Sequence, residues 1–326
     1  MEALRKETLR IREEVCPDHE MGLGLRLSRT AAEELTRPAV VSAFKTFLSN
    51  NGLYVFSVNA FPYGRFHGKT VKQSVYAPDW RTQERKEYTL MVARILADLL
   101  PEGVSGSINT VPGSYKAWIT SEDRKTAIQR MLCECAVGLA RIREETGKTI
   151  LLGLEPEPDC LIETTPECVD FVTGLRALAG RENRDRAAAA RHIGICFDTA
   201  HMAVQFEDPS KSLDLLRENG IPVAKIHISN ALRLPEGEAC TRMLAPFSKS
   251  IYLHQIKVRS RNRIASYPDI GAAPAGKSTS GEWRVHCHVP LFLYENSGLK
   301  TTIHTLDRAF FSRIRNGITR HLEIET

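Results

Sequence analysis

The chain has 326 residues, 42% of them hydrophobic, and a net charge of +5. This length is sufficient for one large hydrophobic core or two modest ones. So small a net charge, without a dense cluster of lysine and arginine, does not support a nucleic-acid-binding surface. Residues 257–263 are the most basic run, and we interpret them as a solvated loop.

The eight cysteines are scattered along the sequence without a CxxC pair. This usage is typical of a reduced, cytoplasmic protein with buried thiols, and not of a disulfide-bonded one. Residues 1–14 are charged and amphipathic, unlike a secretory signal. The longest apolar stretches have only the length of a strand, so the sequence predicts no membrane insertion.

Short strand-like runs alternate with longer helical ones along most of the chain. In chain order, the pattern predicts a helix over 1–15, a strand over 22–28, a helix over 30–50, a strand over 53–60, a helix over 81–100, a strand over 104–111, a helix over 121–146, a strand over 149–155, a helix over 165–179, a strand over 191–198, a helix over 209–219, a strand over 223–229, a helix over 305–316 and a strand over 321–325. Such alternation is typical of βαβ units around a parallel sheet. We therefore expect an α/β protein.

Two segments interrupt this alternation. Residues 61–80 form a long aromatic loop after a strand, and such loops often belong to binding sites. Residues 231–296 form an insertion within what we otherwise expect to be one domain spanning 1–326. Inside it, 251–259 and 282–293 have the pattern of strands. We expect these two strands to pair as a hairpin around a linker rich in Gly, Ala, Pro and Ser.

Polar residues stand at the ends of four predicted strands. In chain order they are Glu155, Asp198, His227 and Glu325. A charged group in a buried parallel strand costs several kcal/mol unless it is paired or bound to a metal. Carboxylates and imidazole together suit Zn²⁺, Mn²⁺, Co²⁺ or Mg²⁺. We favour a divalent metal site here, with a structural polar network as the alternative.

Further histidines lie in the insertion. His286 and His288 are two residues apart in a predicted strand, so their side chains share a face and have a usable metal-ligand spacing. The alternative is a solvent-exposed hairpin that carries two surface histidines. His254 shows the same signal more weakly and is a candidate for lining the site.

Other polar residues near the strand ends complete the candidate set. Glu157 shares a face with Glu155, and His201 follows Asp198 by one helical turn. Tyr63 and His67, in the aromatic loop, are candidates for substrate contact, and the alternative is that they only pack the loop.

The stretches LGLEPEPDC, ICFDTAHMA, KIHISNAL and HLEIET resemble the xylose-isomerase-like superfamily of (β/α)8 TIM barrels. That superfamily includes sugar isomerases, ketose 3-epimerases and the endonuclease IV group. Its metal is bound by Glu on strand five, Asp on strand six, His on strand seven and Glu on strand eight. The resemblance therefore implies the same fold, with Glu155, Asp198, His227 and Glu325 as ligands.

More narrowly, the chain resembles the EboE-type metabolite traffic proteins of that superfamily. Further similar stretches are GLGLRLS, VNAFPYGRFHG, YLHQ and VHCHVPLF. The resemblance implies a role in handling a small metabolite whose precursor is destined for export. Family members begin with one more strand and end with one more helix, so this chain is expected to lack the first strand and last helix of the barrel.

The leading interpretation is metal-assisted isomerisation or epimerisation of a small, sugar-like carbonyl compound. The metal would bind a carbonyl and an adjacent hydroxyl oxygen and stabilise an enediolate. Glu155 and Glu325 would exchange the proton from opposite faces of the carbon. His201 would orient Asp198 or serve as a further ligand.

Two alternatives remain open. One is phosphoester hydrolysis by several zinc ions, because His286 and His288 resemble the extra ligands of the endonuclease IV group. A nucleic acid is not the expected substrate, since no strongly basic groove is visible. The other alternative is a non-enzymatic protein that binds a metabolite through its metal.

Overall fold

The computed structural model of the chain describes residues 4–64, 72–234, 243–244, 252–273, 281–296 and 298–325. The strands are β1 (Met21–Arg26), β2 (Leu53–Asn59), β3 (Gly106–Thr110), β4 (Ile150–Leu154), β5 (Ile193–Asp198), β6 (Val223–Ile228), β7 (Asn230–Leu234), β8 (Ile256–Ser260), β9 (Arg263–Tyr267), β10 (Glu282–Val289), β11 (Glu295–Asn296), β12 (Leu299–Thr301) and β13 (Leu322–Ile324). The α-helices are α1 (Leu9–Val15), α2 (Arg29–Leu35), α3 (Pro38–Asn50), α4 (Gln83–Leu99), α5 (Glu122–Thr146), α6 (Thr165–Arg181), α7 (Arg186–His192), α8 (Thr199–Val204), α9 (Pro209–Glu218) and α10 (Arg308–Arg315).

Seven parallel strands form a nearly closed barrel in the order β1-β2-β3-β4-β5-β6-β13. The predicted α/β barrel is confirmed, with seven strands among the described residues. β1 and β13 stand at the two ends of this strand order, and side chains cover the seam between them. Arg26 Nη2 lies 3.2 Å from Glu325 Oε1. A Cβ atom on Gly24 would lie 2.4 Å from Glu323 Oε2, so only glycine leaves room for that carboxylate.

Local sequence signals set the helix boundaries. The helix predicted over 30–50 is two helices, α2 and α3, because Pro38 forces the preceding Arg37 into an extended conformation with ψ of 125°. The Thr164 side chain and Glu167 form a capping box at the start of α6. Gly147, with φ of 72°, ends α5 in the left-handed region. The start of the strand predicted over 191–198 is wrong, since Arg191 and His192 still belong to α7.

The insertion between β6 and β13 forms a six-stranded sheet in the order β11-β12-β7-β10-β8-β9. The two strand-like segments pair antiparallel, β8 with β10, but the predicted hairpin of these two strands is wrong, because β9 lies between them in the sequence and pairs with the other edge of β8. The solvated loop predicted over 257–263 is wrong, since β8 and β9 form a hairpin there with Arg261 at φ of 51°. This sheet has a small core of its own, which includes Ile256, Trp283 and Val285.

Buried cations attach the inserted sheet to the barrel. Lys257 Nζ on β8 lies 2.8 Å from Glu163 Oε2 and 3.0 Å from Asp159 Oδ1, both in the loop after β4. Arg284 on β10 donates to the Ala203 carbonyl of α8 at 2.6 Å. These contacts explain why the basic run is not a solvated loop: its first lysine is buried and neutralised by carboxylates of the barrel.

The barrel interior contains a second buried ion pair. The ammonium of Lys225, fully buried on β6, lies 2.8 Å from Glu323 Oε1 and donates to Ser57 Oγ at 2.9 Å. Ser107 donates to the same Ser57 oxygen at 3.0 Å, and the His321 ring lies 2.7 Å from Ser107 Oγ. Together these residues connect β2, β3, β6 and β13 through the centre of the barrel.

Two further expectations concern cysteines and membranes. The seven cysteines within the described ranges have free thiols, five of them buried. No helix in these ranges has both the length and the apolar character that a membrane crossing requires.

Replacing Lys225 with Met is expected to lower the free energy of unfolding by about 3–5 kcal/mol, because Glu323 would remain buried without its cation. The matched control is Lys45→Met. Lys45 is 2.5 Å from Asp98 in an exposed ion pair, so its loss should cost less than about 1 kcal/mol. Urea denaturation measures both values, and equal losses would contradict the proposed role of the buried pair.

Candidate metal centre

Four consecutive barrel strands bring the predicted metal ligands together at their carboxyl ends. Glu155 directly follows β4, Asp198 ends β5, His227 is the penultimate residue of β6 and Glu325 follows β13. One ligand atom from each of the four lies within 4.8 Å of the others. The parallel alignment of the strands is the reason, since their carboxyl ends meet at one end of the barrel.

Three carboxylate oxygens surround Nδ1 of His227. They belong to Glu155 at 2.9 Å, Asp198 at 3.6 Å and Glu325 at 2.6 Å. A single ring nitrogen carries at most one proton, so it can donate to only one of them. Three like charges in a buried site repel each other unless a cation lies between them.

Two carboxylate oxygens at this centre support a metal over a self-sufficient polar network. Asp198 Oδ2 and Glu325 Oε2 are buried and accept no well-aligned hydrogen bond from a described residue, although Glu325 Oε2 lies 2.6 Å from His227 Nδ1. The other oxygen of each carboxylate is held. Asp198 Oδ1 accepts from the backbone of His201 at 3.0 Å, and Glu325 Oε1 lies near Arg26. The unpartnered oxygens therefore fit a divalent cation, which accepts carboxylate and imidazole ligands.

The inserted sheet contributes a second group of possible ligands. His286 and His288 on β10 face His201 on α8, with ring centroids 4.6 and 5.3 Å from that of His201. One nitrogen of each of the three rings lies within 4.8 Å of the others. A bulge at His286 and Cys287 interrupts the pairing of β10 with β7, and bulges commonly redirect side chains next to functional sites.

Hydrogen bonds leave the Nε2 atoms of these rings available. His201 donates from Nδ1 to the Pro156 carbonyl at 2.8 Å. Gln255 donates to the Pro158 carbonyl, so its Oε1 must accept from Nδ1 of His286, at 2.8 Å. Such partners on the far nitrogen are typical of metal-binding histidines.

The spacing of the histidines and the neutral form of His286 also suit a metal. Nε2 of His288 lies 3.3 Å from Nε2 of His201. Two nitrogens bound to one tetrahedral zinc are about 3.3–3.4 Å apart, given Zn–N bonds of about 2.0–2.1 Å. Burial, and then the charges of His201 and His288, lower the pKa of His286 well below its ordinary value. His286 is therefore neutral near pH 7, as a ligand must be.

One cavity of about 340 Å³ borders both groups. Its lining includes Glu155 and Glu325 from the first group and all three histidines of the second. This volume is at the lower end of the range for small-molecule sites. A bound metabolite would therefore be near both groups of ligands.

The remaining predicted residues fall into three classes. Glu157 and His254 line the cavity. Burial is the main cause that raises the pKa of Glu157 to about 7. Tyr63 is not in the cavity lining: its hydroxyl donates to Glu84 at 2.7 Å and its ring packs on Tyr88, which is a loop-packing role. His67 lies outside the described residues.

Several residues at this centre were not predicted. Asn109, next to the end of β3, donates to Glu155 Oε2 at 2.7 Å, and the strand-end criterion that selected the four ligands would also have found it. Tyr76 donates to Glu157 at 2.7 Å and accepts from Gln255. The sequence offered no comparable signal for Tyr76 or Gln255, because only the folded chain brings the aromatic loop near β8.

No protein-family model matches the sequence, and no curated protein is significantly similar to it. Among solved structures, the probable 3-DHS dehydratase AsbF of Bacillus anthracis, involved in petrobactin synthesis, is 15% identical over 99% of this chain and 90% of that chain, with a TM-score of 0.47. D-psicose 3-epimerase of Clostridium cellulolyticum H10, solved with D-tagatose, is 17% identical over 76% and 78% of the two chains, with a TM-score of 0.44. The IOLI protein, solved with a zinc atom, is 17% identical over 68% of each chain, with a TM-score of 0.41. Similarity at this level carries no argument about function.

The group of four residues at the strand ends and the group of three histidines share no residue. We therefore predict that the purified chain retains one zinc ion in each group. His227→Gln and His286→Gln should each lose one of these ions, because each removes a ligand from only one of the two groups. His304→Gln, at an exposed histidine, is the matched control and should keep both. Elemental analysis after dialysis measures the count. A count that neither variant changes would contradict both sites.

Proposed function

We propose that the chain is a divalent-metal-dependent isomerase or epimerase of a small polyhydroxylated carbonyl compound. One observation carries this proposal: Glu155 and Glu325 lie at the two ends of the four-strand ligand run, approach His227 Nδ1 at 2.9 and 2.6 Å, and both line the cavity. Such a pair can remove a proton from one face of a substrate carbon and return one to the other.

The protein positions both carboxylates for that task. Asn109 holds one oxygen of Glu155, and Arg26 lies near one oxygen of Glu325, so the second oxygen of each faces the centre. A divalent ion bound there would polarise a carbonyl and the neighbouring hydroxyl oxygen and so acidify the adjacent C–H bond. One glutamate then accepts that proton while the C–H electron pair moves toward the carbonyl. The other glutamate, in its acid form, reprotonates the carbon skeleton.

The cavity restricts the substrate to a small molecule. Its volume of about 340 Å³ is lined by polar groups such as Asn59 and Glu157 next to the aromatic rings of Phe61 and Tyr76. A mixture of hydrogen-bonding groups and ring faces suits a sugar-like compound. The resemblance to EboE-type proteins supports a metabolite connected with the export of a precursor.

The metal-loaded protein is expected to exchange a carbon-bound hydrogen of a suitable ketose with D₂O. Glu325→Gln and Glu155→Gln should each slow this exchange by about 10²–10⁴-fold, since the amide cannot accept the proton. Glu33→Gln, at an exposed glutamate paired with Arg29, is the control. Nuclear magnetic resonance measures the exchange across a ketose panel.

Metal content is measured in every variant, so that a lost ion is distinguished from a lost base. Tight ketose binding without any deuterium uptake would contradict the enzymatic proposal and support the non-enzymatic alternative. Uptake that both glutamine variants retain would exclude the two glutamates as the exchanging groups.

A second candidate function is hydrolysis of a phosphoester in a small molecule. The specific observation in its favour is the group of His201, His286 and His288 beside the first ligand group. Two adjacent metal ions can activate water and stabilise both oxygens of an in-line displacement. The isomerase proposal does not require this second group.

A synthetic phosphodiester, bis(p-nitrophenyl) phosphate, distinguishes the two candidates. If hydrolysis is the function, zinc-loaded protein should release nitrophenolate, and His286→Gln should lower the rate by about tenfold to a hundredfold. If isomerisation is the function, the same variant should retain ketose exchange. Absorbance of nitrophenolate measures hydrolysis, and no release by protein that contains both ions would exclude this candidate.

A further inference from the structure

A thiol lies directly beside the first ligand group. Cys196 is fully buried on β5, two residues before Asp198, so both side chains point into the barrel. Its sulfur is 3.7 Å from each ring nitrogen of His227. Ligand atoms of Cys196, His227 and Glu155 all lie within 4.8 Å of one another.

The neighbouring strand packs closely against Cys196. Gly153 on β4 lies beside Cys196, and a Cβ atom there would be 2.8 Å from the Cys196 nitrogen and 3.0 Å from its Cβ. Any side chain at this position would therefore displace β5. Two residues later on the same strands, Glu155 and Asp198 provide carboxylates, so the thiol lies one layer deeper in the barrel than the carboxylates.

The distances fit a shared metal ion. A sulfur and a nitrogen bound to one tetrahedral zinc are about 3.6 Å apart, given bonds of about 2.3 and 2.0–2.1 Å. The observed separation is 3.7 Å. A second observation points to a ligand at the same place: Asp198 Oδ2 is fully buried, unpartnered among the described residues and directed toward His227.

We propose that Cys196 is a metal ligand, which gives the centre a second coordination mode for thiophilic divalent ions. Hard ions such as Mn²⁺ and Mg²⁺ bind the four-ligand group at the strand ends, because they prefer oxygen ligands. Zn²⁺, Co²⁺ and Cd²⁺ bind deeper, to Cys196, His227 and Glu155. The thiol releases its proton to solvent as the metal–sulfur bond forms.

This inference rests on the metal centre of the proposed function but not on its reaction. Since Glu155 and His227 belong to both coordination modes, a thiophilic ion and a hard ion cannot occupy the centre together. The chain would consequently bind cadmium in competition with manganese. Losing the thiol should selectively weaken the binding of thiophilic ions.

Cobalt absorption tests the proposal directly, because a cobalt–thiolate bond adds an intense near-ultraviolet charge-transfer band to the weak visible bands of Co²⁺. The full-length chain titrated with Co²⁺ should show this band, and Cys196→Ala should lack it. Cys287→Ala is the matched control, since Cys287 lies beside the histidine group, and it should retain the band. Cys196→Ser is a second variant, which keeps a side chain of similar size without the sulfur. It separates the loss of the thiolate from an effect of lost packing.

Competitive titration gives the corresponding affinities. Cys196→Ala should weaken Cd²⁺ binding by about tenfold or more, with Mn²⁺ binding changed by less than about twofold. Visible cobalt bands without a charge-transfer band, or a band lost only in Cys287→Ala, would overturn the thiolate assignment while leaving the metal centre intact. No cobalt binding at all would overturn the metal centre as well.

Discussion

The structure depends on one electrostatic constraint: two buried carboxylates and a partly buried third face a single imidazole nitrogen at the end of the barrel. His227 Nδ1 can satisfy only one of Glu155, Asp198 and Glu325 by a hydrogen bond. Removing this many charges from water costs more than one shared proton can offset. The divalent cation that we propose for this site would resolve the imbalance, and the surrounding contacts would keep the carboxylates in place for it.

The supporting contacts are distributed around the barrel. β13 is short and, among the described strands, pairs with β6 alone, so side-chain contacts supplement the single backbone hydrogen bond that Glu325 donates to the Ile228 carbonyl. The Lys225–Glu323 pair fixes β13 from inside the barrel, and Arg26 reaches Glu325 across the seam. On the other side, Lys257 joins the inserted sheet to the loop after β4. The insertion thereby places its histidines over the same cavity as the carboxylates.

The sequence was sufficient for the barrel and for the clustering of the four candidate ligands, because a period of two and the polarity of strand ends are local signals. It was insufficient where contacts between residues far apart in the sequence determine the role of a side chain. His201 and His288 are 87 positions apart, so no local pattern could choose between ligands and surface histidines. Lys257 has the polarity of a loop residue, and it lies in a strand because Glu163, 94 positions away, neutralises it.

The most direct test of the central claim is an anomalous difference map from crystals of the zinc-loaded protein, measured on both sides of the zinc absorption edge. The account predicts a peak bonded at about 2.0–2.2 Å to His227 and to Glu155, the two residues that both ligand groups of this centre share. A map without a peak there, in which Asp198 Oδ2 and Glu325 Oε2 instead bind protons or water, would contradict it.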